Sequence, residues 1–109
     1  MDEKTKIIAT LNDRFRESMI GGRVVMTAGV SSRESSFQDK AVAAIREFRA
    51  FDENNDPYGE HDFGAIEVEG DELFWKIDYF DPTVTFHAED PACARTTVRV
   101  LTIMLAEEY

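Results

Sequence analysis

Two alternating runs laid almost end to end constrain this chain more than anything else in it. Phe63 to Glu69 places Ala65, Glu67 and Glu69 on one face of a strand and Ile66 and Val68 on the other. Leu73 to Phe80 places Leu73, Trp75, Ile77 and Tyr79 on one face, with Phe74, Lys76, Asp78 and Phe80 opposite. Glu69-Gly70-Asp71-Glu72 between them reads as a hairpin turn. The Leu73 face is the one expected to meet the core. The other is mixed, and the 52–62 segment is the one expected to cover Phe74 and Phe80.

The rest of the chain supplies helices for this hairpin to pack against. Residues 3 to 18 read as an amphipathic helix with Ile7, Ile8, Leu11 and Phe15 at helical spacing. Lys4, Lys6, Asp13, Arg14, Arg16 and Glu17 fall largely on its other face. Gly21-Gly22 ends it. Arg23 to Ala28 is short and β-branched and reads as a buried strand closed by Gly29. Ser35 or Ser36 can cap a second helix, whose stripe is Phe37, Ala41, Ala44, Ile45 and Phe48, with Phe51 in position to extend it. Asp81-Pro82 breaks the second hairpin strand, and Thr83 to Glu89 is irregular. Asp90-Pro91 looks like a helix start, with Ala94, Val98, Leu101, Met104 and Leu105 down one side of a helix reaching nearly to Tyr109. The order α-β-α-β-β-α predicts one α+β domain over residues 1–109, a short mainly antiparallel sheet with helices on one face.

Charge is the compositional feature with functional content. The 109 residues hold 22 acids against 12 bases, a net of −10. Between Glu47 and Asp90 there are 14 acids and only Arg49 and Lys76 as bases, a net of −12, so the remainder carries +2. Such a surface repels nucleic acid and attracts basic partners. No stretch approaches the roughly 18 apolar residues of a membrane span, and Met1 to Lys6 is followed by no apolar run of signal-peptide length. A single cysteine, Cys93, excludes an internal disulfide and a zinc site built on cysteine pairs. A cytoplasmic protein is the expectation.

The 52–62 segment is the natural place for a site, because loops on rigid scaffolds carry binding and catalytic residues. Asp52, Asn54 and Asp56 begin like a calcium loop, but Pro57 sits where the sharp turn wants glycine and Phe63 where the bidentate Glu belongs. Glu60, His61 and Asp62 cannot all face one ion from a strand-like segment. No metal and no cofactor is expected. His61 beside Glu60 and Asp62, with the carboxylate of Asp78, could form a base and its orienting acid, though no nucleophile of recognisable context accompanies them. The plainer reading makes His61 a structural pin that donates to a carbonyl or carboxylate and holds the loop over Trp75 or Tyr79. Cys93, near the start of the expected last helix, reads as a small buried hydrophobe.

The segments Asn55-Asp56-Pro57-Tyr58-Gly59-Glu60-His61-Asp62-Phe63-Gly64 and Phe74-Trp75-Lys76-Ile77-Asp78-Tyr79 carry a resemblance. Leu11 to Arg16, Gly22 to Thr27 and Val100 to Ala106 extend it over nearly the whole chain. It resembles a small bacterial family known by a domain-of-unknown-function label, found largely in proteobacteria and often on plasmids and other mobile elements. The resemblance implies no activity and no catalytic residues, but its association with mobile DNA implies a role against host defence.

Joined to the segregated charge, this gives the leading expectation. The chain would be a non-enzymatic acidic protein that blocks a basic nucleic-acid-binding protein or complex, as antirestriction and anti-CRISPR inhibitors do, presenting carboxylates as a duplex presents phosphates. It would bind neither nucleic acid nor membrane itself. Asp52, Glu53, Asp56, Glu67, Glu69, Asp71 and Glu72 are the expected partner-binding residues. The alternative is a small enzyme or ligand-binding domain with its site at His61, Glu60, Asp62 and Asp78. A third reading is an oligomeric module with Phe74 and Phe80 at a subunit interface.

Overall fold

The computed structural model describes residues 2–109. Helix α1 spans Glu3–Ser18 and is capped by Asp2, whose carboxylate accepts the Thr5 N–H at 2.7 Å. It ends earlier than the glycine pair suggests. Met19 takes the left-handed conformation (φ 59°) and its N–H closes on Phe15 O at 2.7 Å. Strand β1 (Arg23–Met26) and a single helical turn, α2 (Ala28–Ser31), precede α3 (Ser35–Arg46). The cap position of α3 is Glu34, so Ser35 and Ser36 lie inside the helix instead of capping it. The hairpin follows as β2 (Phe63–Val68) and β3 (Asp71–Phe80), and then β4 (Val98–Leu105).

The fold is α+β, as the pattern requires, and the expected order holds through β3. The last element does not. The helix expected from Asp90-Pro91 is a turn and a short 3-10 segment (Ala94–Thr96), followed by β4. Val98, Leu101 and Leu105 lie at helical spacing by coincidence. The pattern that wins is period two, with Arg99, Leu101, Ile103 and Leu105 sharing a face with Leu73, Trp75, Ile77 and Tyr79. A central strand flanked on both edges reads as a near-continuous apolar run, and that is how such a strand is mistaken for a helix.

The sheet order is β1-β4-β3-β2, with β3 antiparallel to both neighbours and β1 parallel to β4, so the sheet is mixed. Strand β1 is therefore an exposed edge and not the buried strand its β-branched residues suggest. The helices bury one face. Phe15 from α1, Phe37, Ala41 and Ile45 from α3, and Phe48 join Leu73, Trp75, Ile77, Leu101 and Ile103 in one core. On the opposite face Phe74 is covered by Phe63 and the C-terminal Tyr109, with ring centroids 5.2 and 5.4 Å away, and not by the 52–62 loop.

Candidate functional site

The two long connections, 47–62 and 81–97, meet at one end of the sheet, and α1 ties them together. Asn12 is fully buried and donates to Glu60 O (2.9 Å) and to the Tyr79 hydroxyl (2.8 Å), while its carbonyl accepts Arg99 Nε–H (2.7 Å). The Tyr79 hydroxyl donates on to Glu60 Oε1 at 2.7 Å, and Arg99 reaches Pro91 O across the second connection. Burial, and then the bond to Glu60, push the Tyr79 phenol far above its ordinary range. Burial likewise lowers Arg99.

His61 is held from three sides. Its Nδ1 lies 3.0 Å from both oxygens of Asp13, its backbone N–H donates to Asp56 Oδ1 (3.1 Å), and its ring stacks on Phe51 at 4.0 Å. Its Nε2 is 3.7 Å from Asp56 Oδ2. These contacts keep a non-glycine residue at φ 57°, a conformation that side chains disfavour. Behind Phe51 lies Arg16, only 1% exposed and not on the polar face of α1 expected from its charge. Its guanidinium donates to Ile45 O (2.8 Å) and Asp13 (3.1 Å), and sits 5.5 Å from the Phe51 and Trp75 rings. Asp13 thus bridges Arg16 and His61.

The four residues of the expected catalytic cluster are not brought together as one site. His61 turns to Asp13, Glu60 accepts from Tyr79, and Asp78 pairs with Lys76 at 3.2 Å. Asp62 lies among the carboxylates of Glu60, Asp56 and Asp78. Burial first, then Glu60, Asp56 and Asp78, raise its carboxyl to about 6. A carboxyl whose pKa is raised in the folded state stabilises fully below its unfolded value near 3.8, and that contribution is lost as pH rises through about 6. Asp62→Asn is therefore expected to be more stable than the wild type by about 1 to 2 kcal/mol at pH 7.5, after allowing for solvent screening, and nearly equal at pH 4. Urea melts at the two pH values check this, and equal stabilities at pH 7.5 would contradict it.

The expected partner-binding carboxylates form two groups. Asp52, Glu53 and Asp56 line a cleft of about 550 Å³ with Phe51, His61 and the 81%-exposed Tyr58. Within it Asp52 Oδ1 accepts the N–H groups of Asn54 and Asn55, and Asp56 is buried against His61, so Glu53 is the least committed of the three. Glu67, Glu69, Asp71 and Glu72 lie at the other end of the six-residue β2, roughly 20 Å away. There Asp71 pairs with Arg33 (2.9 Å) and Glu69 with Lys40 (3.2 Å). Glu67 and Glu72 stand directly opposite each other in the hairpin register, exposed and without an ion pair among the described residues.

Sequence reasoning missed Asn12, Asp13, Arg16 and Arg99, which organise the loop end. A signal was present in α1. Asn12 and Arg16 follow Ile8 at intervals of four, in line with the buried stripe. Cys93 is half-buried beside Thr96, whose hydrogen bonds lower its thiol. No three His, Cys, Asp or Glu side chains among the described residues are grouped to hold a metal ion, and no helix is long and apolar enough to cross a membrane.

The chain belongs to the DUF3768 family, proteins of unknown function, whose family model matches residues 26–108. The match runs from the end of β1 through β4, so it takes in both long connections and leaves α1 ahead of it. No curated protein and no solved structure matches the chain.

Proposed function

We propose that this chain is a non-enzymatic acidic binding protein of bacterial mobile DNA that inhibits a nucleic-acid-binding host-defence protein, in the manner of anti-CRISPR and antirestriction inhibitors. Its carboxylates take the place of duplex phosphates on the basic surface of that partner. The observation that carries this reading is the Glu67–Glu72 pair. Like charges directly opposite on adjacent strands are destabilising, and here they stand without a cation of their own among the described residues. A lysine or arginine of a partner would be attracted to both. The net of −12 between Glu47 and Asp90 extends the same field to the loop end of the sheet.

The internal ion pairs choose the test. Glu69 and Asp71 are already matched by Lys40 and Arg33, so the informative change is Glu67→Gln with Glu72→Gln. In a pull-down from bacterial lysate, the wild type is expected to capture a DNA- or RNA-binding protein at low salt and to lose it at high salt. The double variant is expected to lose it at both. Equal capture by wild type and double variant would overturn the reading.

A second reading, a ligand-binding site at His61, rests on the cleft between Phe51 and Tyr58. The dispersal of His61, Glu60, Asp62 and Asp78 onto separate partners favours binding over catalysis there, and favours His61 as the pin that shapes the cleft.

A further inference from the structure

The sheet has two edges, and they are treated differently. Strand β2 carries Glu67 outward and is followed by the paired carboxylates of the hairpin turn, charges that discourage edge-to-edge pairing. Strand β1, Arg23-Val24-Val25-Met26, has no proline and a single charge. Val24 is 36% and Val25 42% exposed, and Ile20 just ahead of them is 77% exposed. The backbone of β1 shows which groups are free. Thr27 N–H bonds Ile103 O at 3.0 Å, so residues 23, 25 and 27 face β4, and 22, 24 and 26 point away from it. Met26 O accepts the Ser31 hydroxyl. The N–H and C=O of Val24 and the N–H of Met26 have no partner among the described residues.

We propose that β1 is a self-association edge, through which two copies of this chain pair antiparallel about a two-fold axis at Val24 and join their sheets into one of eight strands. The outward groups are self-complementary in that register. Val24 exchanges both of its bonds with Val24 of the second copy, and each Met26 N–H reaches the carbonyl of the other copy's Gly22. Arg23 then lies across from the apolar Val25, so the two arginines do not oppose one another.

Charge favours a second copy as the occupant. The acidic excess lies between Glu47 and Asp90, while the rest of the chain, β1 included, carries +2. Pairing at β1 keeps the acidic edges of both copies outermost, three strand spacings or about 14 Å from β1. Pairing at β2 would instead bring Glu67 of one copy beside the other's. The contact is short, below the roughly 1,200 Å² of a stable interface, so the association is expected to be weak, with a dissociation constant on the order of 10–100 μM. It is independent of the acidic-inhibitor reading and leaves that surface free.

Sedimentation equilibrium tests it. The apparent mass should rise from 12.4 kDa toward twice that value as concentration passes through the expected dissociation constant. Val24→Pro removes an outward N–H and leaves the groups that bond β4 in place, a position where an edge strand tolerates proline. This variant should remain monomeric with unchanged circular dichroism. Val24→Lys, which retains the backbone donor but adds a charge at the axis, should also remain monomeric and carries the test if the proline variant unfolds. A wild type that stays monomeric up to about 1 mM, well above that constant, overturns the proposal. So does a folded Val24→Pro or Val24→Lys variant that associates as the wild type does.

Discussion

Gly64→Ala is expected to cost about 3 kcal/mol of stability, at the upper end for overpacking. Gly64 lies on the buried face of β2, directly across from Trp75. A methyl group there would stand 2.5 Å from the indole nitrogen and 2.8 Å from the Phe48 ring. The indole has nowhere to retreat. It is fully buried, with Phe48 at 5.5 Å and Phe51 at 6.1 Å, both packed edge-on. Displacing it pushes on Phe51, and through the stacked ring on His61, so the loop should loosen along with the core. Trp75 is the only tryptophan, and its fluorescence during urea unfolding reports the site directly. A loss under about 0.5 kcal/mol would mean that the strand yields at this point and the packing is less tight than the geometry requires.

Asn12→Ala should be comparably damaging, about 3 kcal/mol, for a different reason. One amide serves three groups: Arg99 Nε–H, the Tyr79 hydroxyl and Glu60 O. Truncation leaves a buried guanidinium donor and a backbone carbonyl without partners, and an unmade bond in such a place costs more than a made one contributes. Combining Asn12→Ala with Arg99→Leu should cost less than the sum of the two single changes, because the donor is removed together with its acceptor. Additivity in that cycle would show that the two residues act separately.

The hairpin and its buried face were legible because period two is a local signal, and Leu73, Trp75, Ile77 and Tyr79 state it without ambiguity. Strand β4 was not, since its pairing with β1 joins residues 77 apart and leaves no trace in either segment alone. The loop end was legible in part. Pro57, Gly59 and His61 mark it, and His61 does bind a carboxylate, but Asp13 supplies that carboxylate from 48 residues away. Arg16 was misplaced and Asn12 passed over for a physical reason. Polar residues are assigned to the wet side of a helix unless a buried partner is known, and their partners lie on α3, β3 and β4. The same distance hid the pairing of Glu69 and Asp71 with Lys40 and Arg33, which divides the acidic residues into committed and free ones.

Strand β4 lies between β1 and β3, yet it is synthesised after both. Until it emerges, the β2–β3 hairpin has no neighbour on its β3 side and β1 has no strand to pair with. A nascent chain therefore carries two unpaired strand edges until β4 has been made. Topology makes β4 the closing strand, the one whose insertion completes the sheet and brings Arg99 to the α1 and loop network.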